Sequence, residues 1–168
     1  MRKVLVLVCG LLILGLLNYT IYSREALVSS GQSIYLELAP VDPRSLMQGD
    51  YMALRFAVTG QARQTIKAAT EKDGFVVLKR DERGVGQFIR LDNGEALASD
   101  ELRMLYRQRN NSINFATNAF FFQEGKALLY EDAKFGEFKV AENGDSILVA
   151  MRDKDFQQLG EITKPLLD

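Results

Sequence analysis

No Asp, Glu, Lys or Arg interrupts the chain from Val4 to Tyr22. As a helix this run is about 28 Å long, close to the hydrocarbon thickness of a bilayer. It is apolar on every face, so it has no polar side to show to water while the other side packs on a core. The remaining residues must therefore build their core without it. Arg2 and Lys3 precede the run, and Tyr19 and Tyr22 stand at its far end. A basic start and an aromatic belt at the exit suit a helix inserted with its N-terminus inside. Gly10 and Gly15 are tolerated in such a helix.

The apolar core Val4–Leu17 also has the length of a signal peptide. Tyr22, Ser23, Arg24 and Glu25 make a poor exit for cleavage, and Val28-Ser29-Ser30 is the best remaining candidate. The segment reads as an uncleaved anchor. Cys9 lies within the run behind Val8, where a lipoprotein signal needs a small residue, so it reads as a lipid-facing or helix-packing side chain.

Composition removes several chemistries. The 168 residues contain no histidine and one cysteine. Imidazole-based triads, His-ligated metals, intrachain disulfides and cysteine metal clusters are excluded. A formal charge of −1 argues against a general nucleic-acid binder. No cofactor and no metal site is expected.

After residue 22 the hydrophobic period is mostly two, the period of strands. Ile34, Leu36 and Leu38 alternate with polar neighbours. Met52, Leu54, Phe56 and Val58 alternate with Tyr51, Ala53, Arg55 and Ala57, and Gly60 is expected to end that strand. Gln61–Lys72 reads equally as helix or extended chain. Phe75–Arg80 and Gly86–Leu91 flank Asp81-Glu82-Arg83-Gly84, a hairpin signal. Asp92-Asn93-Gly94 and Asn110-Asn111 read as turns. Leu102, Met104 and Tyr106 form another strand pattern, with Arg103, Arg107 and Arg109 on its other, solvated face. An anionic-lipid or partner contact is the alternative for those arginines.

Phe120-Phe121-Phe122 reads as a strand buried on both faces. Lys126–Lys134 is the best helix candidate of this part. Glu137–Ala141 and Ser146–Met151 surround Glu142-Asn143-Gly144-Asp145, a second hairpin signal. The expected fold is mainly β (α+β): an N-terminal transmembrane helix, then an antiparallel β-rich domain of about seven to nine strands with one or two short helices. The expected organisation is an anchor at 1–22, a juxtamembrane linker at 23–32 and a β domain at 33–168.

The most distinctive stretch is Pro40-Val41-Asp42-Pro43-Arg44-Ser45-Leu46-Met47-Gln48-Gly49-Asp50-Tyr51-Met52-Ala53-Leu54-Arg55-Phe56. It resembles the bacterial GDYXXLXY family of membrane-anchored proteins. Gly49, Asp50, Tyr51, Leu54 and Phe56 occupy the motif, with Phe in place of the final Tyr. Asp42-Pro43-Arg44 also looks like that family, as does the block Phe121-Phe122-Gln123-Glu124-Gly125 with Tyr130, Ala133 and Gly136–Val140. The resemblance covers roughly residues 33 to 152. It implies a membrane-anchored bacterial protein with an extracytoplasmic domain; together with the orientation of the basic and aromatic flanks, the expectation is a single-pass protein of the inner (cytoplasmic) membrane, N-in, with its domain in the periplasm or outside the cell. It also implies association with a polytopic membrane protein.

Physically, Pro43 restricts Asp42 to extended or turn backbone, and Asp42 and Asp50 can accept backbone N–H bonds in turns. Gly49 permits a backbone angle that other residues resist. One reading is a structural loop-to-strand corner, with Arg44 pairing Asp42 or Asp50. The other is a ligand or partner surface built from Asp42, Arg44, Asp50 and Tyr51. Leu46-Met47-Gln48-Gly49-Asp50 faintly resembles the serine–lysine signal-peptidase class, but the Ser-Met pair that should precede it is Ala39-Pro40. No catalytic residue is assigned. The functional expectation is an accessory or interaction partner of a polytopic membrane protein. The alternative is a ligand-binding or hydrolytic domain using Asp42, Arg44 and Asp50, with Glu124.

Overall fold

The computed structural model describes residues 2–39, 47–48, 51–68, 73–109 and 112–160. Its first element is the helix α1 (Arg2–Ser30). The apolar stretch Val6–Ser30 is long and apolar enough to cross a membrane, and none of it is buried where it is most apolar. Cys9 is exposed on it. The helix does not stop where the uncharged run does. It continues through 23–30, and Leu27 in its last turns is buried. The Gly31 N–H then donates to the Leu27 carbonyl (2.9 Å), and the next strand starts at once.

That strand is β1 (Gln32–Glu37). It is followed by β2 (Met47–Gln48), β3 (Tyr51–Ala53), helix α2 (Ala57–Ala68), β4 (Asp73–Arg80) and β5 (Gly86–Leu91). Then come β6 (Glu101–Arg109), β7 (Ser112–Phe115), β8 (Ala119–Phe121), a 3-10 turn (Ala127–Tyr130), β9 (Phe135–Val140), β10 (Ser146–Arg152) and β11 (Gln158–Leu159). All strand pairing within the sheets is antiparallel: β1-β9-β10-β11, β5-β4-β6-β7, and the small sheet β2-β3-β8. The fold is mainly β in an α+β layout, as the period-two pattern predicts.

The two four-stranded sheets are laced together by their hairpin turns. In the β4–β5 turn Gly84 sits at φ 81°, and its carbonyl accepts the Tyr35 N–H of β1 (3.0 Å). In the β9–β10 turn Gly144 sits at φ 87°, and its carbonyl accepts the Leu105 N–H of β6 (2.9 Å). Both turns are three-residue loops with glycine in the left-handed position, rather than the two-residue form that Asn-Gly often makes. A Cβ on Gly144 would lie 2.6 Å from the Phe75 ring. Gly144→Ala thus combines a disfavoured φ with overlap against a ring, and about 2 kcal/mol of stability should be lost. A denaturant midpoint measured on the full chain in detergent micelles checks this; no change would mean the turn relaxes freely.

The core draws on all three sheets and α2: Ile34 and Leu36, Met52, Ala62 and Ile66, Val76 and Leu78, Met104 and Tyr106, Phe115, Phe138 and Met151. Three local expectations are corrected. The alternation from Met52 to Val58 predicts one strand, but β3 ends at Ala53 and α2 begins at Ala57. Val58, Ala62 and Ile66 are buried at helical spacing, so tertiary burial of that face overrides the strand pattern, and Gly60 lies inside the helix. The Gln61 side chain then accepts the Phe88 N–H of edge strand β5 (3.2 Å). The segment 126–134 supplies only the 3-10 turn, because Leu128 and Leu129 are exposed and give no apolar face to bury.

The third correction concerns Phe120–Phe122. β8 is not buried on both faces. Phe120 and Phe122 pack against Tyr130, with ring centroids 5.0 and 5.5 Å away, whereas Phe121 is 74% exposed.

Candidate functional site

Asp42, Pro43, Arg44, Gly49 and Asp50 lie outside the described residues. The rest of the motif divides into two kinds of residue. Leu54 and Phe56 belong to the core, at 5% and 4% exposure. The Leu54 N–H donates to the Asn118 carbonyl (2.8 Å), and Phe56 pairs as an isolated antiparallel bridge with Leu38. The Phe56 ring meets Phe138 edge-on, centroids 5.3 Å apart. Loss of the family's final hydroxyl therefore leaves an aromatic ring doing core packing.

Tyr51 is different. It is half-buried at the start of β3, directly across from Phe121 on β8, and the two rings lie 5.8 Å apart. The pleat that sends Met52 and Phe120 inward sends Tyr51 and Phe121 outward. Glu124 and Gly125 are exposed in the turn after β8. Gly125 sits at φ 80°, and the Lys126 N–H closes the turn on the Gln123 carbonyl (3.0 Å). Glu124 thus flanks β8 without joining the Tyr51–Phe121 pair.

The motif strand borders a region that carries no sequence signal, the β7–β8 loop Ala116-Thr117-Asn118. Ala116 is one of two non-glycine residues with positive φ among the described residues (41°), a conformation that costs an alanine about 1 kcal/mol or more. Thr117 holds the loop by donating its hydroxyl to the Ala119 carbonyl (2.7 Å) and accepting the Ala119 N–H (3.2 Å). Asn118 ties it to Leu54 of the motif. Three clefts meet at this loop. One, of about 600 Å³, runs along Arg55, Phe56, Thr59, Arg63, Ile113 and Asn118. A second, of about 430 Å³, lies between Arg24 of α1, Arg107 and Arg109 of β6, and Asp145 and Ser146 of the β9–β10 hairpin. The third, of about 260 Å³, includes Ala116, Phe120, Phe121 and Leu148.

The arginines of β6 fall on its outer face, as their spacing predicts, but their partners differ. Arg103 is half-buried, and its Nε lies 3.6 Å from Asp92 with no hydrogen bond of its own. Arg109 makes a two-pronged pair with Asp73, at 2.5 and 2.8 Å. That hydrogen bonding holds the Asp73 carboxyl below its ordinary range and the guanidinium above its own. Arg107 is exposed.

Among the described residues no group of three or more Asp, Glu or Cys side chains is placed to hold a metal ion. Among the described residues Asp145 is the one carboxylate lining the three clefts at the loop. A family model described as "GDYXXLXY protein" matches residues 13–151, reaching further into the apolar helix than the motif blocks alone. No curated protein and no solved structure matches the chain.

Proposed function

The chain belongs to the GDYXXLXY family, and from that premise we propose that it is a membrane-tethered docking domain. On this reading residues 1–22 are retained as a single span with the N-terminus inside the cell. The link 23–32, helical to Ser30, connects it to the domain at 33–168 in the bacterial periplasm or outside the cell. The domain engages a polytopic membrane protein as an accessory subunit.

The observation that carries this reading is Phe121. A phenylalanine 74% exposed beside a motif tyrosine is not needed to close the core, which is sealed by its neighbours Phe120 and Phe122. Exposed aromatic groups on a regular strand are typical anchors of protein interfaces. The hydrolytic alternative rests on Asp42, Arg44 and Asp50, which lie outside the described residues; among the described residues the clefts at the loop add Asp145 alone to the two acids that paired-carboxylate chemistry needs.

The test is a photoreactive benzoyl-phenylalanine placed at position 121 of the full chain in native membranes. It should crosslink one reproducible polytopic protein. The same probe at Ile89, exposed on edge strand β5, should not. Equal yields from the two positions would remove Phe121 as the docking anchor. An alkaline phosphatase fused after Asp168 should be active if the domain lies outside the cytoplasm.

A further inference from the structure

Arg24, Arg55, Arg63 and Arg107 all line the clefts at the β7–β8 loop, and none makes an ion pair within 4.0 Å to a described carboxylate, although Asp73, opposite Arg107 in the β4–β6 register, feels its charge. Guanidinium groups left unpaired around a concave surface favour an anion that can take two or more of them at once. The two larger clefts share Asn114, Thr117 and Asn118 in their linings, so these guanidiniums are grouped around one loop.

Arg24 decides what the anion is. It is the first charged residue after Lys3, two positions beyond Tyr22, or about 3 Å further along the helix axis. If α1 spans a bilayer, that level is the headgroup layer. The domain is held at the same level, because Leu27 is buried in it and β1 starts directly after Gly31. We propose that the cleft between Arg24 and Arg107 binds the headgroup of an anionic phospholipid. This rests on α1 being retained as a span, as in the docking reading above.

The Arg24 and Arg107 guanidiniums contact the lipid phosphate, and Asp73, shared between Arg107 and Arg109, is bound by hydrogen bonds to Arg109. Asn114 and Ser146 in the same lining supply neutral hydrogen-bond donors. Arg109, already committed to Asp73, adds little net charge. Asp145, held by Asn143 (3.3 Å), offers an acceptor to a headgroup hydroxyl, which favours phosphatidylglycerol over a bare phosphatidic acid. The site would set the domain's rotation about the membrane normal and so present Phe121 in one direction.

Spin-labelled phosphatidylglycerol and phosphatidylcholine, added to the full chain in bilayers, measure the preference directly. Wild type should hold the anionic lipid more strongly. Arg24→Gln and Arg107→Gln should each reduce that preference roughly fivefold, as expected for one basic residue near a membrane surface. The double variant should come close to parity. Both residues are exposed, so circular dichroism should show the variants folded. With the labelled lipid confined to the leaflet on the domain side, Lys3→Gln, at the other end of the helix, should change nothing.

An unaltered preference in the double variant would overturn the site. So would its loss in Lys3→Gln alone, or displacement of the lipid by inorganic phosphate, which would reassign the cleft to a soluble anion. Absence of motionally restricted lipid of either kind would sink the span itself, and is distinguishable from a span that lacks headgroup preference.

Discussion

Phe138→Ala should cost about 4 kcal/mol, among the largest losses expected from a single truncation of the described core. Phe138 is fully buried on β9, a strand with neighbours on both sides. Its ring meets Phe56, the last motif position, and a Cβ on Gly136 would lie 3.2 Å from both rings. Gly136 thus lets the two aromatic groups approach, and that packing leaves few atoms free to collapse into the void. Phe56→Ala should cost less, about 3 kcal/mol, because Phe56 also borders a cleft open to water. The two losses should add to less than their sum, since each ring is the other's neighbour. Denaturant midpoints of both singles and the double, read by circular dichroism in micelles, give the coupling. Full additivity would mean that the motif's final aromatic packs independently of β9.

These residues also show where the sequence was legible. The hairpins follow from turn chemistry, because Asp81 to Gly84 and Asn143-Gly144 supply residues that accept tight-turn angles. Asp81 indeed accepts the N–H groups of Arg83 and Val85, and Asn143 that of Asp145. The β3–α2 junction was not legible, because Val58 completes a period of two with Phe56 and a period of four with Ala62. Only burial of the Val58–Ile66 stripe selects the helix. The exposure of Phe121 is not legible, because three consecutive aromatics look buried on both faces, while the register with Tyr51 turns the middle one outward.

The candidate site was less legible still. The motif drew attention to Leu54 and Phe56, whose role is packing, and to Tyr51, which reaches the surface. Nothing in Ala116-Thr117-Asn118 announces a junction of clefts, since alanine has no preference for positive φ. Arg24 and Arg107 come together only because α1 packs back on the β9–β10 hairpin, a contact distant in sequence that no local pattern encodes.

The second large effect is expected at Glu137. It is the one buried charged residue among those described, at 8% exposure, and it faces away from the core side that Phe138 fills. Arg152 of β10 donates Nε (2.8 Å) and Nη2 (2.5 Å) to one carboxylate oxygen, and its Nη1 to the Phe156 carbonyl (3.0 Å). Phe156 stands at φ 60° and stacks on Phe135 at 4.6 Å. One guanidinium therefore neutralises the buried acid and fixes the turn between β10 and β11. Glu137→Ala leaves that guanidinium without its anion, and about 3 kcal/mol should be lost, near the low end for a broken buried pair because the Arg152 side chain keeps 22% exposure.

Arg152→Ala strands the carboxylate and releases the Phe156 carbonyl as well, so its loss should be at least as large. The double replacement should recover much of the sum, because neither variant residue carries a charge to desolvate. Arg152→Lys should not restore stability, since one ammonium cannot span both the carboxylate and the carbonyl. A double-mutant cycle by denaturant midpoint decides it. Strict additivity of the two alanine variants would mean that the pair contributes only through packing of the two side chains.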